Sequence, residues 1–119
     1  MPIERNTNLG NINISEDAIA TLAGGIVAEC YGVVGMASQK ILKDGLAELL
    51  KRDNYSKGIV VRKLEDKYEL DLFIVISFGV KISEVVTEVQ KKVKYELERS
   101  LDITFNAVNV YVQGIKINE

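Results

Sequence analysis

Few residues in this sequence have the types and spacing that catalysis needs. Histidine is absent, which removes the usual general base at neutral pH, the Ser-His and Cys-His nucleophile pairs and the commonest metal ligand. Glu84 and Glu88 are spaced to chelate a hard cation, but Glu88 and Lys92 form an ordinary helix-surface ion pair at the same spacing. Cys30 lies on the apolar side of a helical pattern, which indicates a buried, unreactive thiol. We therefore predict no catalytic residue, metal or cofactor.

A second candidate site is Gly32-Val33-Val34-Gly35, which has the spacing of the GxxG loop with which KH domains clamp a nucleic-acid backbone. A clamp on phosphates favours basic or polar residues between the glycines, whereas two valines stand there. We predict that Gly32 and Gly35 serve the fold. The alternative is a small KH-like RNA-binding module that uses this loop.

A third candidate is an apolar surface on the longest predicted strand. Alternate residues from Tyr68 to Phe78 are apolar, as in a strand with one face against the core. Phe73 and Val75 on the opposite face are apolar as well, so both faces need covering. With Tyr111, they form a candidate interface for self-association or for a protein partner. The alternative is that a helix of the same chain folds across this side.

The elements that position these residues follow from hydrophobic periodicity and turn signals. A helix is predicted from Glu16, with Ser15 as its N-cap, and an amphipathic helix is predicted after Ser83. A shorter helix is predicted from about Ser38 to Arg52. The predicted strands are Asn11–Ile14, a short one around Val33 and Val34, the hairpin arms Ile59–Leu64 and Tyr68–Phe78, and Phe105–Ile117, with a bulge or strand end at Gly114.

This order predicts an α+β fold with the sequence β-α-β-(short α)-β-β-α-β. We expect a mixed sheet of about four to five strands, with two main helices packed on one face. The length of 119 residues fits one domain. Residues 1–8 are predicted to be a flexible N-terminal tail, and residues 9–119 a single domain.

Charge and composition limit the partners and the compartment. Lys and Arg number 15 against 17 Asp and Glu, a net charge of −2, so the broad positive field that attracts nucleic acid is lacking. The longest strongly apolar run, Leu72–Ile76, is far shorter than the roughly 20 residues of a membrane span. A single cysteine gives no sign of an oxidising compartment. We predict a cytoplasmic protein that does not insert directly into a membrane.

Five blocks of residues carry a resemblance to a known family. They are GNINIS at 10–15, DAIATLA at 17–23, YGVVGM at 31–36, KGIVV at 57–61 and VNVYVQGI at 108–115. In order and approximate spacing, this pattern resembles the alkaline shock protein family, small envelope stress proteins of Gram-positive bacteria. The resemblance runs from about Leu9 to Ile117.

The resemblance implies a small α/β domain without known catalysis that acts in cell-envelope homeostasis. Some members are held near the membrane by a separate anchoring protein, and some are linked genetically to lipid metabolism. We therefore expect a non-enzymatic scaffold or regulator that binds a protein partner, of the membrane-anchored or lipid-metabolism kind, and forms homo-oligomers.

Overall fold

The computed structural model describes residues 3–41, 47–65 and 67–117. Its elements in chain order are β1 Ile3–Thr7, β2 Gly10–Ile14, α1 Glu16–Ala28, β3 Val33–Ile41, β4 Ala47–Leu50, a 3-10 segment Arg52–Gly58, β5 Ile59–Leu64, β6 Lys67–Ser77, α2 Ile82–Leu101 and β7 Phe105–Lys116. Two α-helices and a mixed sheet of five strands within these ranges confirm the predicted α+β fold.

Helix α1 begins at Glu16, as the sequence predicts. Ser15 is extended, and its Oγ accepts a hydrogen bond of 3.1 Å from the amide of Ala18, which satisfies one of the free donors at the helix start. Glycine at position 24 allows close packing further along the helix, because a Cβ there would lie 3.1 Å from the Cβ of Tyr55. The helix therefore starts at a side-chain cap and packs closely against the 3-10 segment.

Replacing Ser15 with alanine is expected to lower the free energy of unfolding by about 1 kcal/mol, because the amide of Ala18 loses its acceptor. Ser15→Asp should keep most of that stability, since a carboxylate oxygen can accept the same bond. Urea unfolding followed by circular dichroism measures both variants. Equal losses in the two would contradict a capping role.

Strand β6 lies at the centre of the five-stranded sheet. β7 runs parallel to β6 along one edge, from the pair Tyr68 and Phe105 to the pair Ser77 and Lys116. β5 and β3 are both antiparallel to β6 and share its other edge, one after the other, while β4 pairs with β3. The predicted central strand and the predicted β5–β6 hairpin are both confirmed.

Both α-helices pack on the face of the sheet formed by the even-numbered residues of β6. Leu70, Leu72, Ile74 and Ile76 have no exposed surface on this side. The core that they form with the helices includes Ile19, Ala23 and Val27 of α1 and Val85, Val89, Val93 and Leu97 of α2. The odd-numbered residues of β6 point away from the helices, because side chains alternate along a strand.

The short helix predicted from Ser38 to Arg52 is wrong over the residues that the structure describes. β3 continues to Ile41, and Ala47–Leu50 is strand β4; residues 42–46 lie outside the described ranges. The pair of strands replaces a helix because Met36 lies opposite Leu50 in an antiparallel ladder, which satisfies the backbone groups that face each other across the two strands.

Two helix and strand boundaries also differ from the prediction. Ser83 does not cap α2, since this helix begins at Ile82 with Lys81 at the N-cap and no capping bond from the Lys81 side chain. Secondary structure starts within the segment assigned to the tail, because Ile3–Thr7 pairs with β2 as an antiparallel hairpin. The strand predicted at Asn11–Ile14 is confirmed as β2.

Candidate protein-binding surface

The face of the sheet opposite the helices, here called the open face, carries a stacked aromatic pair. Phe73 on β6 and Tyr111 on β7 lie side by side in the parallel ladder. Their ring centroids are 4.9 Å apart and their planes differ by 13°, a stacked geometry within the favourable range. Phe73 is half-buried and Tyr111 is 46% exposed. The structure therefore brings together two of the three residues proposed from sequence as an interface.

Val75, the third of these residues, lies on the same face two positions further along β6 but is only 6% exposed. A glycine stands beside it on each neighbouring strand. A Cβ built at Gly35 would lie 3.7 Å from the Cβ of Val75, and one built at Gly114 would lie 3.9 Å from its Cγ1. Val75 thus adds little accessible area beside Phe73. That a partner binds here stays a prediction.

A network of five polar side chains, here called the polar ladder, lies beside the aromatic pair. Arg62 of β5 uses Nη2 to donate to Glu69 Oε1 at 2.9 Å and to Asp71 Oδ1 at 3.1 Å. From β7, Asn106 Nδ2 donates to Glu69 Oε2 at 3.1 Å and Asn109 Nδ2 donates to Asp71 Oδ1 at 2.9 Å. The ladder links three strands across the open face.

The polar ladder holds its charges in fixed positions. The side chains of Glu69 and Asp71 are each 14% exposed, whereas that of Arg62 is 40% exposed. The hydrogen bond to Asp71 raises the pKa of Arg62, so the guanidinium stays charged. One cation and two carboxylates leave the ladder with a formal charge of −1. Side chains already held by hydrogen bonds lose little conformational freedom when a partner binds.

Sequence analysis missed the polar ladder, although part of it had a local signal. Arg62 and Glu69 lie opposite each other in the β5–β6 hairpin, and the predicted hairpin gives this pair once its register is drawn. Asn106 and Asn109 reach their carboxylates only through the parallel pairing of β7 with β6. Nothing in the local sequence pattern sets that register.

The Gly32–Gly35 segment is mostly strand and not loop, because β3 begins at Val33. Gly32 has φ +85°, and a Cβ there would lie 2.6 Å from Cγ2 of Val85 on α2. Its carbonyl oxygen accepts a 2.9 Å hydrogen bond from the amide of Ser77. Gly35 lies within β3, opposite Val75. The structure uses both glycines for packing and pairing, and the KH-like alternative is not supported.

The structure also places Cys30 and Glu84, two further residues considered in the sequence. Cys30 is buried, its Sγ donates to the carbonyl of Ile26 at 3.4 Å, and burial raises the pKa of the thiol. Glu84 is exposed and pairs with Lys81 at 3.8 Å. Over the described ranges, no group of three or more Cys, Asp or Glu side chains is placed to hold a metal ion. None of the described helices is long and apolar enough to cross a membrane.

Two helices on one face of a mixed sheet, with a polar and aromatic surface on the other, define a small α+β domain. The model of the ASP23 (alkaline shock protein) family, described by its cell envelope-related function, matches residues 4–117. This chain belongs to that family, and the resemblance seen in the sequence is confirmed.

Individual relatives agree with the family match. The chain is 45% identical over 117 residues to the uncharacterized protein YloU of Bacillus subtilis (strain 168), covering 98% of both chains. It is 47% identical to the uncharacterized protein Spy1614 of Streptococcus pyogenes, covering 98% of this chain and 97% of the relative. A more distant relative, the uncharacterized protein YqhY of Bacillus subtilis, is 28% identical over 113 residues. No solved structure matches the chain.

Proposed function

We propose that this protein is a non-enzymatic, cytoplasmic scaffold or regulator in the cell-envelope stress response or homeostasis. It acts through protein contacts on the open face and through self-association. The observation that carries the proposal is the stacked pair of Phe73 and Tyr111, fixed beside the polar ladder on the side of the sheet away from the helices. The cell-envelope function of the family gives the cellular setting.

Charge argues for a protein partner at this surface. Nucleic acids and anionic lipids present phosphates, and the polar ladder beside the aromatic pair keeps a formal charge of −1 with Arg62 included, so it does not attract them. An aromatic centre bordered by polar side chains is instead the usual anatomy of a protein interface. The partner surface fitting this face has an apolar centre and hydrogen-bond donors for the two carboxylates. The family points to membrane-anchored proteins and proteins of lipid metabolism as the first to test.

The proposal is tested by site-specific photo-crosslinking in cells. A photo-reactive phenylalanine derivative replaces Tyr111, and a control replaces Tyr95, which is 61% exposed on α2. We expect crosslinking to an envelope-related protein from position 111 and not from position 95. Mass spectrometry identifies that protein, and titration of the two purified proteins measures its affinity.

Tyr111→Asp adds a third carboxylate beside the ladder and removes the ring, so we expect at least a tenfold loss of affinity, on the order of 1.4 kcal/mol. Tyr95→Asp is the matched control and should bind as the wild-type chain does. The proposal is wrong if both variants bind equally well, or if positions 111 and 95 crosslink to the same set of proteins.

A further inference from the structure

Strand β7 is an edge strand over the described residues, because it pairs with β6 on one side only. The direction of its backbone groups follows from the ladder. Ser77 donates its amide to Gly32 on the β3 side, so the even-numbered residues of β6 direct their N–H and C=O groups to β7. Leu72 lies opposite Val110, and its N–H and C=O groups bond to the two residues that flank Val110 in β7. The N–H and C=O of Val110 therefore point to the outer edge.

The same alternation directs the backbone groups of Val108 and Val112 outward. At Val108 the outer edge is already occupied, because Gln90 of α2 donates its Nε2 to the carbonyl oxygen at 3.0 Å. Beyond Val112 the register shifts, since Val112 lies opposite Ile74 but Gly114 lies opposite Val75. A side chain thus covers one end of the outer edge and a bulge interrupts the other. Regular pairing is left to the segment Val110–Val112.

We propose that Val110–Val112 pairs with the same segment of a second copy of this chain. The two segments run antiparallel about a two-fold axis at Tyr111, and Val110 of each copy exchanges both its N–H and its C=O bond with Val112 of the other. The two Tyr111 residues then form a non-hydrogen-bonded pair, with Cα atoms about 4.5 Å apart. The stacked pairs of the two copies join into one row of four rings. This pairing gives the self-association in the proposed function a specific surface. It rests on the proposed self-association alone and not on the proposed protein partner.

Hydrogen bonding selects this register. Centring the axis on Val110 instead would require the carbonyl of Val108, which Gln90 already occupies. Centring it on Tyr111 uses only the outward groups of Val110 and Val112. Because both copies use the same edge, pairing through it stops at the dimer.

Charge also favours a second copy at this edge. Lys116 is the single charged residue of β7 and lies outside the paired segment, so no like charges meet across the two-fold axis. Edge strands are normally protected by charged residues or proline, and Val110–Val112 contains neither, whereas β5 carries Arg62 and Lys63. A contact confined to three residues of each strand buries less than the roughly 1,200 Å² of stable interfaces. We expect a weak, concentration-dependent dimer.

Sedimentation equilibrium of the purified chain tests the pairing. Val112→Pro removes an amide that points away from β6, so the fold should survive while the dimer loses two of its four bonds. The matched control is Val61→Pro on β5. Val61 lies opposite Leu70. Because the backbone groups of Leu70 point to β7 and away from β5, those of Val61 point away from β6. The Val61 amide therefore faces the outer edge of β5.

We expect the wild-type chain and Val61→Pro to pass from one to two chains of 13.2 kDa as concentration rises, with at least a tenfold weaker association for Val112→Pro. Circular dichroism checks that both variants fold. A wild-type chain that stays monomeric up to about 1 mM overturns the pairing, because a Kd of about 1 mM corresponds to only about −4 kcal/mol of association free energy. Dimerisation of Val112→Pro at wild-type strength overturns it as well. Partner crosslinking from position 111 is a separate result, so either proposal can fail without the other.

Disulfide trapping tests the register. In a Cys30→Ala background, Tyr111→Cys should form a covalent dimer on oxidation, because Cα atoms about 4.5 Å apart are within disulfide range. Asn109→Cys should remain monomeric, since the two copies of residue 109 lie about four residues apart along the strand, roughly 13 Å. Equal crosslinking at the two positions would show random collision and contradict the two-fold axis at Tyr111.

Discussion

Replacing Phe105 with alanine is expected to lower the free energy of unfolding by about 3 to 5 kcal/mol, the usual cost of truncating a buried phenylalanine. Phe105 has no exposed surface and is the first residue of β7. Its ring meets Tyr68 of β6 edge to face, with centroids 6.2 Å apart and planes at 61°. The substitution removes this contact and leaves a cavity at the point where β7 joins the sheet after α2. Urea unfolding of the purified chain measures the loss.

Two control variants separate cavity formation from a general effect of losing an aromatic ring. Phe105→Leu keeps most of the volume and should cost less than about 1.5 kcal/mol. Phe78→Ala removes a ring that is 66% exposed beyond the end of β6, so its effect should stay within about 0.5 kcal/mol. Similar losses of unfolding free energy for Phe105→Ala and Phe78→Ala would contradict the prediction, because they would show that the cost does not come from a cavity in the core.

Local pattern was enough to predict strand β6 and its hairpin with β5. The alternation from Tyr68 to Ile76 has a period of two, and only an extended strand places those side chains on one face. The turn residues before Lys67 then require an antiparallel return. Both signals come from residues within or next to the strands that they predict, so no contact with a distant part of the chain is needed to interpret them.

The segment after β3 shows where local pattern fails. Ile41, Leu46, Leu49 and Leu50 are spaced as on one face of a helix, but the structure places Leu50 opposite Met36 in a strand pair, with Leu49 72% exposed. A short apolar pattern fits either period, and the pairing of β4 with β3 decides between them. That pairing is a property of the whole fold.

Local pattern was also enough to predict one part of the candidate site but not the other. The apolar character of both faces of β6 pointed to Phe73, and alternation in β7 pointed to Tyr111. Their stacking depends on the parallel register of β7 against β6. Neither that register nor the amide bonds from Asn106 and Asn109 has a local signal. Sequence thus identified the aromatic centre of the surface and missed the polar side chains that hold it in place.

Replacing Gly32 with alanine is expected to lower the free energy of unfolding by about 2 to 5 kcal/mol. Two costs add: about 1 to 2 kcal/mol for a Cβ at positive φ, and about 1 to 3 kcal/mol for overpacking. The new Cβ would lie 2.6 Å from Cγ2 and 3.3 Å from Cγ1 of Val85. Val85 is fixed in α2, where a β-branched side chain has one strongly preferred rotamer, so it cannot turn away. Urea unfolding again measures the change.

Gly79→Ala separates the two costs, because Gly79 has φ +95° but no atom within 4 Å of a built Cβ. It should lose only the backbone part, about 1 to 2 kcal/mol. A double-mutant cycle of Gly32→Ala with Val85→Ala isolates the overlap, because shortening Val85 removes the clash, and we expect a favourable coupling of about 1 to 3 kcal/mol. Equal losses at positions 32 and 79, with no coupling to Val85, would contradict the packing role of Gly32. With that coupling, glycine at position 32 is explained by its contact with Val85 in the first turn of α2.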